Sequence, residues 1–100
     1  MKVGLIQLEL SIPWANSLKD KRHAIKGLKQ RLHSRFNVSA AEVGANDEHQ
    51  VAILGIAAVA NDVQFLQSVC QKVVNFVEEH TETNLEDYTV EILHIRVVKH

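Results

Sequence analysis

The sequence predicts an α+β sandwich of one domain, residues 1–100, with elements in the order β-α-β-β-α-β. Three observations predict it. Two windows, 3–12 and 50–60, carry apolar residues with strand spacing or as an unbroken apolar run. Two others, 17–35 and 62–77, carry them at helical spacing behind a capping residue. Polar turn-forming stretches separate these windows. At 100 residues and 46% apolar content the chain can bury about 60–70% of its unfolded surface, enough for one core without staples. Cys70 is the sole cysteine, which rules out an internal disulfide and fits a reducing compartment.

The first strand is VGLIQLELSI, residues 3–12. Ile6, Leu8, Leu10 and Ile12 share one side, and Gln7, Glu9 and Ser11 share the other with Val3 and Leu5. Pro13 ends it, because proline has no N–H for the ladder. Ser17 is then a good N-cap, with Asp20 three residues on as the acid of a capping box. Leu18, Ile25, Leu28, Leu32 and Phe36 recur at helical spacing, so the helix runs to about Arg35. Asn37 is the expected stop, since asparagine tolerates the left-handed cap.

NVSAAEV (37–43) reads as a short strand and GANDEH (44–49) as a turn. QVAILGIAAVA (50–60) suits a central strand by its β-branched content and flanking turns. Asn61 or Asp62 caps a second helix with a buried stripe of Leu66, Val69, Cys70, Val73 and Val77. TETNLED (81–87) is a polar loop. YTVEILHIRVV (88–98) is the last strand, with Glu91, Leu93, Ile95 and Val97 on one side. Two split β-α-β units in this length, joined by right-handed crossovers, make a ferredoxin-like sandwich: a four-stranded antiparallel sheet with both helices on one face.

Charge is spread unevenly along this framework. The whole chain has a net charge of −1. Residues 17–35, SLKDKRHAIKGLKQRLHSR, hold seven of the eleven lysines and arginines and one acid, for a local net of +6. The remainder must therefore carry −7, much of it in Glu78, Glu79, Glu82, Glu86, Asp87 and Glu91. Lys19, Arg22, Lys26, Lys29 and His33 are spaced 3, 4, 3 and 4, so they form one line along the helix beside its apolar stripe. Arg31 and Arg35 fall elsewhere. Like charges at i,i+4 cost a few tenths of a kcal/mol per pair. Cations at Lys19, Lys21 and Arg22 oppose the helix dipole by about 0.3–1 kcal/mol each. Packing does not require these penalties. One reading is a phosphate-binding face for RNA, in which the cations replace condensed counterions. The other is a solvated face whose cations meet the protein's own acids across the surface.

The segments IPWANSLKDKR (12–22), RLHSRFNVSAAEV (31–43) and GIAAVANDVQFL (55–66) resemble the YlxP-like family of small bacterial proteins, a family of unknown function. The likeness spans nearly the whole chain and is most specific in SLKDKR and RFNVSAAEV. It implies a ferredoxin-like fold. Genes of the family often lie near those of translation-initiation and ribosome-maturation factors, which implies by association a link to RNA or the ribosome. The family brings no catalytic residues to carry over.

Several chemistries find no support in the residues. Acylphosphatases share the topology but need a glycine-rich loop and an arginine after the first strand, where this chain has SIPWANS. RNA-recognition motifs stack bases on aromatics of the central strands, and QVAILGIAAVA has none. There is no GXXG clamp, no HExxH and no CxxC. The histidines (His23, His33, His49, His80, His94 and His100) include no i,i+4 pair, so no metal and no cofactor is expected. Cys70, on an apolar stripe, reads as a small buried hydrophobe. Trp14 reads as a lid on the core edge, with base stacking beside Lys19 as the alternative. No stretch approaches the roughly 20 apolar residues of a membrane span, and the N-terminus lacks a signal peptide's unbroken apolar run.

Alternation also predicts an apolar helix-free face of the sheet, with Val3, Leu5, Val51, Ile53, Ala57, Val59, Val90 and Ile92, suited to homodimerisation. The expectation is therefore a cytoplasmic, non-enzymatic accessory protein that binds RNA or the ribosome through Lys19, Arg22, Lys26, Lys29 and His33. The alternative is a protein-interaction or small-ligand module that acts as a dimer through its sheet face. An enzyme with a pocket near Glu9, Trp14 and Asn16 is a third reading.

Overall fold

The computed structural model describes residues 1–99 and contains β1 (Lys2–Ser11), α1 (Leu18–Arg35), β2 (Ser39–Gly44), β3 (Val51–Ala60), α2 (Val63–Glu78) and β4 (Asn84–His94). The order is the predicted β-α-β-β-α-β. The strands form one sheet in the order β2-β3-β1-β4, every neighbouring pair antiparallel. This is the ferredoxin-like sandwich.

The core follows from the alternation of β1. Ile6, Leu8, Leu10 and, just past the strand, Ile12 are all buried. Across the sheet Ile6 faces Ile56, Leu8 faces Leu54 and Leu10 faces Ala52. The same cluster takes in Ile25, Leu28 and Leu32 of α1 and Cys70, Val73, Val74 and Val77 of α2. Each fully buried aliphatic side chain of this kind contributes about 1.5–3 kcal/mol. Gly4 marks where α2 comes closest to the sheet. A Cβ there would lie 2.8 Å from Cys70 Sγ and 3.2 Å from Leu66 Cγ.

The helix starts agree with the sequence. The Ser17 hydroxyl accepts from Asp20 N–H at 3.1 Å, and an Asp20 carboxylate oxygen accepts from Asn16 N–H at 3.0 Å. The box thus closes one residue earlier than the usual reciprocal pair. Asp62, rather than Asn61, caps α2 by accepting from Phe65 N–H.

Other expectations need correction. α1 ends at Phe36 in an extended conformation (φ −133°), not at a left-handed Asn37. The Phe36 N–H donates to Leu32 O while its ring packs on the core and edge-on to Phe76 at 5.9 Å, and this anchorage turns the chain straight into β2. The positive φ instead falls at Ala45 (58°), inside the turn between β2 and β3. β2 begins two residues later than expected. In α2, Val69 is half-buried and Val74 joins the buried stripe.

β4 departs most. It starts at Asn84, within the predicted polar loop, and ends at His94. A bulge between Glu9 and Leu10 lets Leu85 pair with Leu10 and Asn84 with Ser11, leaving Glu86 as the extra residue. Ser11 Oγ donates to that Glu86 carboxylate at 2.7 Å. At the other end, Ile95 N–H donates to Met1 O and the N-terminal ammonium donates to Ile95 O.

The register also corrects the helix-free face. Val90 lies opposite Ile6 and Ile92 opposite Gly4, so both belong to the helix side. The open face carries Leu93 opposite Val3 and Glu91 opposite Leu5 instead.

Candidate nucleic-acid interface

The amphipathic pattern of α1 decides which side chains reach solvent. Ala24, Ile25, Leu28 and Leu32 turn its inner side to the core. Lys19, Arg22, Lys26 and His33 are exposed and Lys29 is half-buried. The structure therefore brings all five predicted residues onto one outward line of the helix. None of them forms an ion pair with a carboxylate within 4.0 Å: Lys21–Glu42 is the single salt bridge among the described residues.

Lys21 belongs to a different category. It is 1% exposed, its ammonium lies 2.7 Å from a Glu42 carboxylate oxygen, and it donates to Ala45 O at 2.8 Å and Val51 O at 3.0 Å. The ammonium thus makes two hydrogen bonds to backbone carbonyls and one ion pair, the Glu42 oxygen itself having no hydrogen-bond donor. The side chain ties α1 to the end of β2 and the start of β3. The penalty of a cation early in the helix is here part of the packing, contrary to the sequence reading.

Arg31 and Arg35 project from the flank of α1 that faces α2. With Lys72 of α2 they line a cleft of about 400 Å³, whose walls also include Phe36, Asn75, Phe76, Glu79, His80 and Thr81. The Arg35 guanidinium lies 5.1 Å from the centroid of the Phe76 ring. Arg31 Nη1 is 3.4 Å from His80 Nδ1. His80 is 8% exposed, and burial together with the Arg31 charge holds its imidazole below the usual histidine range, partly offset by Glu82. The neutral ring then accepts from Arg31. A second hollow of about 340 Å³ adjoins this cleft, shares Arg31 and His80, and reaches Lys26. The sequence carried one signal for this cleft, the i,i+4 pair Arg31 and Arg35, but the contribution of Lys72 depends on how the helices pack.

The remaining candidates find structural roles. Trp14 is half exposed, and its indole N–H donates to Glu82 O at 2.8 Å, which fastens the loop before α1 to the segment entering β4. Burial raises the Cys70 thiol above its ordinary range, as befits a core residue. No group of three or more His, Cys, Asp or Glu residues placed to hold a metal occurs among the described residues. His100 lies outside them. No helix among them is long and apolar enough to cross a membrane.

Comparison with known proteins agrees with the resemblance read from the sequence. Residues 3–90 match the family model described as a protein of unknown function, DUF503. The chain is 35% identical over 80 residues to the uncharacterized protein YlxP of Bacillus subtilis, a match covering 80% of this chain and 87% of that one. The chain belongs to this family.

Proposed function

We propose that this member of a family of unknown function is a non-enzymatic accessory protein that binds RNA, on the ribosome or free, through Lys19, Arg22, Lys26, Lys29 and His33. One observation carries the reading. The five side chains form a solvent-facing line with no carboxylate partner, although the chain as a whole is acidic. Such a line follows a phosphate backbone and releases its condensed counterions. The sheet offers no competing platform: β3 and β1 present no aromatic on which bases could stack.

The test is capture of the tagged protein from lysate with and without nuclease, alongside titration of the purified protein with RNA. RNA and ribosomal components should co-purify and be lost on nuclease treatment. The Lys26→Glu/Lys29→Glu variant should lose RNA affinity while keeping its fold. Unchanged affinity in that variant would refute the assignment.

A second reading, self-association through the open sheet face, is favoured by a different observation. Leu5, Val43, Val59 and Leu93 are exposed on that face, Val59 to 62%, and Ile95, Val97 and Val98 are exposed apolar residues that follow the end of β4. A second copy of the chain offers the matching apolar face. Sedimentation showing a monomer near 11.3 kDa at high concentration would remove this reading.

A further inference from the structure

The cleft between the C-terminal turns of α1 and α2 is a different surface from the outward stripe, and it has the features of a built anion site. Arg31, Arg35 and Lys72 contribute three cations and Glu79 one carboxylate, a net of +2 with His80 neutral. Glu79 lines the same cleft yet forms no ion pair with any of the three. Helix dipoles account for cations near helix ends, but not for three of them turned into one hollow from two helices.

We propose that this cleft binds the phosphate monoester of a nucleotide, either free or at the terminus of an RNA chain. A phosphate monoester near neutral pH carries a charge of about −1.5 to −2, which matches the cleft. An internal phosphodiester carries one negative charge and lacks the third terminal oxygen. Arginine suits this task because its planar fork can donate two parallel hydrogen bonds to phosphate oxygens. Arg31 is held at the cleft by the His80 ring nitrogen. The Arg35 guanidinium, backed by Phe76, presents a flat surface on which a base can stack. Asn75 is oriented as a donor, because its carbonyl oxygen already accepts from Gln71 Nε2 at 2.9 Å. The cleft volume of about 400 Å³ falls within the range of small-ligand sites, about 300–1,000 Å³.

The inference shares the phosphate chemistry of the proposed function but uses other side chains, so the two can fail separately. The full chain is titrated calorimetrically with adenosine 5′-monophosphate, adenosine and inorganic phosphate, and by fluorescence anisotropy with one oligoribonucleotide bearing a 5′-phosphate or a 5′-hydroxyl. The monophosphate should bind and adenosine should not. Lys72→Gln, which removes an exposed side chain, should weaken binding several-fold, and Arg35→Gln/Lys72→Gln at least tenfold. Lys26→Glu/Lys29→Glu should leave monophosphate affinity within about twofold. Tighter binding of the 5′-phosphorylated oligonucleotide than of its 5′-hydroxyl counterpart identifies an RNA end as the ligand, and equal binding of the two beside a bound monophosphate identifies a free nucleotide. The proposal is overturned if neither monoester binds, if adenosine binds as well as its phosphate, or if Lys72→Gln leaves affinity unchanged in a protein with wild-type thermal stability.

Discussion

The Lys21 ammonium sits 2.7 Å from a Glu42 carboxylate oxygen, and it does so with 1% of the lysine exposed to solvent. This contact and the two carbonyls beside it join α1 to the β2–β3 end of the sheet. Removing the cation strands two carbonyl acceptors and leaves the Glu42 carboxylate without its counter-charge. Lys21→Met should therefore lower stability by about 3 kcal/mol in urea denaturation, a cost typical of breaking a buried ion pair. Lys19→Met, on the exposed stripe, should change it by less than about 0.5 kcal/mol. Equal effects of the two substitutions would show that Lys21 is not a structural cation.

The approach of α2 to β1 at Gly4 gives a second prediction. Gly4→Ala places a methyl group 2.8 Å from Cys70 Sγ, closer than atoms pack. The expected loss is about 1–3 kcal/mol, the usual cost of overpacking. Cys70→Ala vacates that space, so the double variant should be more stable than the sum of the two single changes predicts. Strict additivity in the cycle would mean that the backbone relaxes instead.

Most of the fold was legible because local signals and burial agree. Ile6, Leu8, Leu10 and Ile12 alternate in sequence and are buried in fact. The failures occur where tertiary contacts override local chemistry. Asn84 and Leu85 look like loop residues, yet they pair with Ser11 and Leu10 across a bulge that β1 alone does not announce. The same bulge offsets Glu86 from the alternation. Val90 and Ile92 lie on the opposite face from the one alternation predicts, because the facing of β4 depends on its register with β1. In the site, the stripe from Lys19 to His33 was legible from helical spacing. Lys21 was not, because its partners Glu42, Ala45 and Val51 are 21 or more residues away. Lys72 joins Arg31 and Arg35 only through helix packing.

RNA binding through the stripe should depend strongly on salt. Each cation that replaces a counterion on single-stranded RNA adds about 0.7 to the slope of log affinity against log salt concentration. Lys26→Gln and Lys29→Gln should each reduce that slope by about this amount, and their effects should add. A slope unaffected by either would place the phosphate contacts elsewhere on the protein.

The environment of His80 makes stability depend on pH. Burial and the neighbouring Arg31 lower its pKa from the ordinary value of 6.5, against the opposing charge of Glu82. The unfolded chain therefore binds a proton more readily than the folded one. The neutral ring's contribution is fully present above pH 6.5 and is lost as pH falls through the lower folded value. Thermal melts between pH 7.5 and pH 5 should show a larger drop for the wild type than for His80→Gln, whose side chain can accept from Arg31 without titrating. Because the carboxylates are common to both proteins, the difference between the two profiles isolates the imidazole. Parallel profiles would mean that the ring titrates as it does in the unfolded chain, and that its contact with Arg31 contributes nothing to holding the cleft.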